Sequence, residues 1–191
     1  GYQYGGKPFD RRAEVEKILA QLTSVKHVIQ LPYLDAANPR RLTPGTILWN
    51  ELLDHPPVAR AEFKYEEVPF DHPLWILFSS GTTGLPKPIM HSHGGIMIEQ
   101  LKHLAFNFDL HAGETMFFFT TTGWMMWNFI VSSLLSDVKP VLYDGNPAWP
   151  DGDLLWKMVQ DSKADMFGAS PTYQSILEKN GIVPKNKFDL S

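Results

Sequence analysis

Apolar residues between Arg11 and Ser24 fall at Val15, Ile18, Leu19 and Leu22. That is the i, i+3, i+4, i+7 spacing of one helical stripe, and Asp10 stands where an N-cap belongs. His27 to Leu31 reads as a short strand stopped by Pro32. Residues 33–72 hold no sustained period. Asn38-Pro39, Thr43-Pro44-Gly45 and His55-Pro56-Pro57 mark turns there, around one short helix predicted over Leu48 to Asp54. From Pro73 onward the rhythm is regular. Strands are predicted over Leu74–Ser79 (buried), Ile89–His91, Met116–Thr120, Pro140–Tyr143 and Ala164–Ala169. Helices are predicted over Gly95–Phe108, with Ile98, Leu101, Ala105 and Phe108 on one side, over Met125–Ser136, and over Asp151–Ser162, with Leu154, Leu155, Met158 and Val159 inward. Ser170-Pro171 forms an N-cap and N1 pair opening a helix over Thr172–Lys179. Strands alternating with helices of this length predict an α/β fold with a mostly parallel sheet and flanking helices. Residues 1–72 then form an N-terminal helix, strand and irregular connector, and residues 73–191 the regular α/β unit.

The densest chemistry lies between the first two strands of that unit, in Ser79-Ser80-Gly81-Thr82-Thr83-Gly84-Leu85-Pro86-Lys87. Glycines let backbone N–H groups approach an anion closely. Successive turn amides make an anion nest, hydroxyls add neutral donors, and a lysine supplies a point charge for phosphate. The segment is not a Walker A loop, because G-x-x-x-x-G-K-[ST] does not fit it. A polar Gly/Ser/Thr surface turn is the bland alternative. Against it stand the crowding of donors and Pro86, which stiffens the chain just before the lysine.

Ser79 to Lys87 resembles the phosphate-binding signature of the adenylate-forming superfamily of acyl-CoA synthetases, luciferases and peptide-synthetase adenylation domains. The wider set is similar to the acetoacetate–CoA ligase branch. It comprises Ile76 to Lys87, His91-Ser92-His93-Gly94-Gly95, Thr122-Gly123-Trp124-Met125-Met126-Trp127-Asn128 and Leu142-Tyr143-Asp144-Gly145-Asn146-Pro147. Gly1 to Lys7 and Asp165 to Ser170 also fit, so the resemblance spans nearly the whole chain. Most members carry glycine after the loop lysine; here Pro88 removes one amide donor.

The resemblance implies part of the N-terminal adenylation domain of such a ligase. That enzyme converts acetoacetate, ATP and CoA to acetoacetyl-CoA, AMP and pyrophosphate through an acyl-adenylate, with magnesium on the phosphates. It implies that Ser79, Ser80, Thr82, Thr83 and Lys87, with the backbone of Gly81 and Gly84, contact the ATP phosphates. It also implies that Trp124, Met125, Met126 and Asn128 line the acyl pocket, with Asn128 or the Trp124 indole N–H as donor to a keto oxygen. Bulky apolar residues on a short helix equally suit a core. A ligase for acetate, propionate or butyrate, and a non-catalytic phosphate- or nucleotide-binding module, stay open beside this reading. By the same resemblance, the adenine pocket, the ribose-binding aspartate and the C-terminal domain with the catalytic lysine have no counterpart within residues 1–191. The expectation is therefore a central fragment, inactive alone and prone to self-association along an apolar edge.

Composition narrows the partners. Hydrophobic content of 43% with 20% charged residues describes a globular chain rather than a disordered one. A net charge of −4 gives no electrostatic case for nucleic acid or anionic membrane. No apolar run reaches the ~18–20 residues of a membrane span, no secretory leader precedes the first elements, and the first residue is glycine, as in an excised piece. The absence of cysteine excludes disulfides and thiolate catalysis and fits a reducing, cytoplasmic setting. His91 and His93, at i, i+2, would share one side of a strand. No third ligand stands at a telling distance, so packing or hydrogen bonding beside the loop is expected rather than a metal site. Asp144 to Pro147 reads as a turn.

Overall fold

The computed structural model describes residues 1–80 and 84–191. It divides into two compact units, Gly1–Tyr65 and Glu66–Ser191.

The first unit opens with a hairpin, β1 (Tyr2–Tyr4) and β2 (Lys7–Phe9), paired antiparallel. Gly5 and Gly6 turn it with φ of 57° and 74°, the positive values that a two-residue hairpin loop demands. Helix α1 covers Arg12–Leu19 and is shorter than its apolar stripe predicts. Asp10 is not the N-cap; Arg11 holds that position, and the Asp10 carboxylate instead accepts from the Arg12 backbone N–H at 3.0 Å and from its guanidinium. None of the α1 residues is buried, and Ile18 and Leu22 of the predicted stripe are exposed. Strand β3 (Ile29–Gln30) pairs parallel with β4 (Ile47–Leu48), which leads into α2 (Trp49–Leu53). Glu51 of α2 accepts from the Leu48 N–H at 2.9 Å and pairs with Arg41, which draws its carboxyl down to about 2.

The second unit begins with β5 (Pro73–Ser79) and β6 (Lys87–Ser92), an antiparallel hairpin rather than two parallel strands. Ser92 caps α3 (His93–Lys102), its hydroxyl accepting from the Gly95 N–H at 3.3 Å. The helix ends in a π turn, His103–Asn107. Gly94 lies against Phe70 so closely that a Cβ would fall 2.0 Å from that ring, which requires glycine there. Strands β7 (Thr115–Phe118), β8 (Lys139–Val141) and β9 (Met166–Gly168) form a three-stranded parallel sheet in the order β8-β7-β9. Helix α4 (Met125–Ser132), extended by a 3₁₀ turn through Ser136, joins β7 to β8. Helix α5 (Leu154–Ser162) joins β8 to β9, and α6 (Pro171–Lys179) follows β9. As expected, Ser170 caps α6, accepting from the Tyr173 N–H at 3.3 Å, and Pro171 fills the first helical position.

The central strand β7 explains the two cores. Successive residues of a strand point to opposite faces, and Met116 and Phe117 are both fully buried. Met116 packs with Leu104, Leu110, Phe129, Ile130 and Val138, the side of α3 and α4. Phe117 packs with Leu155, Val159, Tyr173 and Leu177, the side of α5 and α6. A strand covered on both faces reads as a continuous apolar run, as Met116 to Phe119 does.

Two sequence expectations are corrected. The side of α3 marked by Ile98, Leu101 and Ala105 faces outward, Ile98 being 60% exposed, while Gln100 and Leu104 are buried. Polar residues on the inward side hid it from a hydrophobic period. The strand Leu74–Ser79 is not buried: Leu74, Ile76 and Phe78 are exposed.

Tyr173 carries a pH prediction. Its hydroxyl donates to the Gly152 carbonyl at 2.9 Å. Burial, with the Asp153 and Asp151 carboxylates, pushes its pKa up to about 12. The unfolded tyrosine ionises near 10, so this contribution to stability is intact below about pH 10 and is lost as pH rises from there to about 12. Denaturant midpoints should therefore fall more steeply across that window in the wild type than in Tyr173→Phe; equal slopes would refute the assignment.

Candidate functional site

The β5–β6 hairpin sets the ends of the phosphate-type loop. Its register places Ser79 directly opposite Lys87, and opposed residues of an antiparallel pair project to the same face. The first hydroxyl and the lysine therefore flank the loop on one side. Ser80 and Lys87 are exposed, and the Lys87 side chain makes no hydrogen bond or ion pair among the described residues. Gly81, Thr82 and Thr83 lie outside the described residues. Pro88 stands opposite Phe78 and contributes no N–H.

Alternation carries this face along the hairpin. Ser79, Leu77 and Trp75 share it with Lys87, Ile89 and His91. Trp75, Leu77 and His91 then form one wall of a cavity of about 270 Å³. Its other walls come from α3 and the π turn that follows it, through Ile96, Glu99, Gln100 and His103, and from α4, through Met125, Met126, Asn128 and Phe129. Four residue steps separate Lys87 from His91, about 13 Å along the strand. Loop and cavity thus lie on one face of one hairpin.

Polar groups in the cavity are placed individually. The Trp75 indole N–H donates to His91 Nδ1 at 2.9 Å, so a neutral His91 carries its proton on Nε2. His103 meets Phe108 and Phe129 edge-on at 5.0 and 5.4 Å. Glu99 is paired with Lys102 at 2.8 Å, which holds its carboxyl below the usual range. Gln100 Oε1 is buried without a partner among the described residues.

Three of the four predicted acyl-pocket residues, Met125, Met126 and Asn128, line this cavity. Trp124 does not: it is the exposed N-cap residue of α4. Trp75, His91, Gln100 and His103 were not singled out as pocket residues by sequence reasoning. The expected pairing of His91 and His93 on one strand fails, because His93 opens α3 and its ring meets His72 at 5.6 Å. Among the described residues no group of three His, Asp or Glu is arranged to hold a metal, and no helix is long and apolar enough to cross a membrane. Asp144 to Pro147 is a loop braced locally, with Asn146 Oδ1 accepting from the Ala148 N–H at 2.9 Å.

Known proteins match this arrangement along its whole length. Acetoacetyl-coenzyme A synthetase of Rhizobium meliloti is 39% identical over 100% of this chain and 29% of its own length. Acetoacetyl-CoA synthetase of Danio rerio is 33% identical over 98% of the chain and 28% of its own. The structure of acetoacetyl-CoA synthetase from Streptomyces lividans superposes with a TM-score of 0.87 at 46% identity, covering all of this chain and 28% of that one. The chain thus spans less than a third of the relatives it matches, and their names agree with the branch that the sequence motifs resemble. The AMP-binding enzyme model matches residues 7–190, so the chain belongs to the AMP-binding enzyme family.

Proposed function

We propose that the protein containing this chain is an ATP-dependent acid–CoA ligase acting on acetoacetate through an acyl-adenylate. The observation that carries the reading is the shared face of the β5–β6 hairpin, with a hydroxyl and a lysine side chain unpaired among the described residues at one end and a small cavity further along. In such chemistry a carboxylate attacks the α-phosphorus of ATP and pyrophosphate leaves. The protein's part is positioning and charge neutralisation. Lys87, Ser79, Ser80, Thr82 and Thr83, with the Gly81 and Gly84 amides, hold the β- and γ-phosphates; magnesium enters with the nucleotide. The cavity, near the lower limit of ligand sites in size, takes the short acyl chain between Met125, Met126 and Asn128. CoA is the second co-substrate, and no residue of this chain is assigned to it. The reaction needs neither nucleic acid nor a membrane, and the cysteine-free sequence suits the cytoplasm.

Acid-dependent ATP–pyrophosphate exchange by the intact protein, run with acetoacetate, acetate, propionate and butyrate, tests the reading. Highest kcat/KM for acetoacetate supports it. Preference for a plain acid favours the second reading, a ligase for another short acid, which the mostly apolar lining of Ile96, Met125, Met126 and Phe129 also suits. No exchange with any acid leaves a nucleotide-binding module.

The methionines make a further prediction. Met125→Ala and Met126→Ala open the cavity and shift kcat/KM toward longer acids by about 1–3 kcal/mol. Loss of thermal stability with an unchanged acid preference would assign both residues to packing alone.

A further inference from the structure

Trp75 and His91 stand directly opposite each other on the cavity face of the β5–β6 hairpin. An indole N–H can only donate, and that of Trp75 donates to His91 Nδ1 at 2.9 Å. An accepting ring nitrogen carries no proton, so the imidazole proton sits on Nε2 and makes that atom a donor. The His91 Nε2 makes no hydrogen bond or ion pair with any described residue, and it is not among the polar atoms that they bury. His91 lines the cavity. Nε2 lies on the edge of the ring farthest from the Cβ, so a side chain standing out from this face of the strand carries it away from the backbone, into the space that α3 and α4 wall. The donor is therefore fixed, reachable and unspent.

We propose that His91 is a specificity-determining residue, whose Nε2–H donates to the 3-keto oxygen of the bound acid, and that Trp75 is the positioning residue that holds its ring in this tautomer. The inference rests on the acid–CoA ligase reading above and names the donor within that cavity. A keto oxygen only accepts, so its partner must donate. Asn128 and His103 border the same space, and no hydrogen bond to a described residue orients either side chain. A carboxamide can turn its oxygen or its N–H groups to a ligand, and an unheld imidazole can protonate either nitrogen. Either group thus accommodates an acceptor or a donor equally, whereas His91 is committed to an acceptor. A committed donor discriminates. When a ligand displaces water without offering an acceptor, the N–H is left unpaired and the complex is penalised. Butyrate is such a ligand: it has the same carbon count as acetoacetate and no keto oxygen.

The experiment measures kcat/KM for acetoacetate and butyrate by ATP–pyrophosphate exchange in the intact wild type, His91→Asn, His91→Gln and Trp75→Phe. The acetoacetate-to-butyrate ratio does not depend on the fraction of folded protein, and Trp75→Phe carries the comparison if His91→Asn is insoluble. The asparagine carboxamide reaches only as far as Nδ1, where it can still accept from Trp75, and leaves no donor at the Nε2 position. In His91→Asn the ratio should therefore fall by about 10- to 100-fold. His91→Gln, whose amide reaches the Nε2 position, should keep most of the ratio. Trp75→Phe, which frees the ring to take either tautomer, should lower it by less than His91→Asn does. A histidine that only packs would change the two rates together. With a wild type that prefers acetoacetate, an unmoved ratio in His91→Asn, or a fall there that His91→Gln does not recover, would overturn the His91 assignment alone. An unmoved ratio in Trp75→Phe would overturn the positioning role of Trp75. Exchange with neither acid by the wild type would overturn the ligase reading and this assignment with it.

Discussion

Lys87→Met in the intact protein is expected to slow acid-dependent ATP–pyrophosphate exchange by about 10²-fold or more. Lys87 stands at the end of β6 opposite Ser79, exposed and without a partner among the described residues. Among the described residues no carboxylate pairs with this cation and none of the fold's contacts uses its charge. The charge is therefore available to the polyphosphate, where the loss of one charge contact to the developing pyrophosphate costs about 2.7 kcal/mol, the equivalent of two decades in rate. Folding should hardly change, because no described bond is broken. Lys87→Arg should recover part of the rate: it restores the charge, but its planar fork meets phosphate differently from a compact ammonium. Melting curves that superpose while exchange falls establish the role. An unchanged rate in Lys87→Met removes the residue from the site.

The parts of the fold that follow one-dimensional rules were legible in the sequence. The Ser170-Pro171 helix start, the β7 run through Met116 and Phe117, and the inward Leu155 and Val159 all appear where local pattern put them. What escaped depends on contacts between elements. β5 pairs antiparallel with β6, and the composition of the segment between them does not encode that pairing. The inward face of α3 is polar at Gln100 and His103, so its period pointed the other way. The candidate site divides similarly. The loop and Met125, Met126 and Asn128 came from motif resemblance. Trp75, His91, Gln100 and His103 joined them only once the hairpin had been folded against α3 and α4. Gln100 in particular carries no sequence signal, since a glutamine on a helix is ordinarily read as solvated.

Residues 1–191 produced alone are expected to give no acid-dependent exchange and no acyl-CoA. The matched relatives are far longer, this chain spanning 28–29% of them. Adenylation needs the carboxylate and α-phosphorus held in near-attack geometry. We assign the phosphate grip and the acyl cavity to this chain, and adenine and ribose contacts to other parts of such a protein. A phosphate nest with one lysine holds nucleotide only weakly, on the order of millimolar. The outer face of the hairpin makes a second expectation. Ile76 and Phe78 on β5 and Met90 on β6 alternate onto the side opposite the cavity, and Phe78 is 65% exposed. Contiguous exposed apolar residues on a sheet face favour association, so the isolated chain should run above its 21.7 kDa mass in light scattering. Ile76→Lys with Phe78→Ser should shift it toward the monomer, since neither side chain faces the cavity. Turnover by the isolated chain would show that residues 1–191 hold a complete site. A monomer in the wild type would show that the hairpin face is covered in solution.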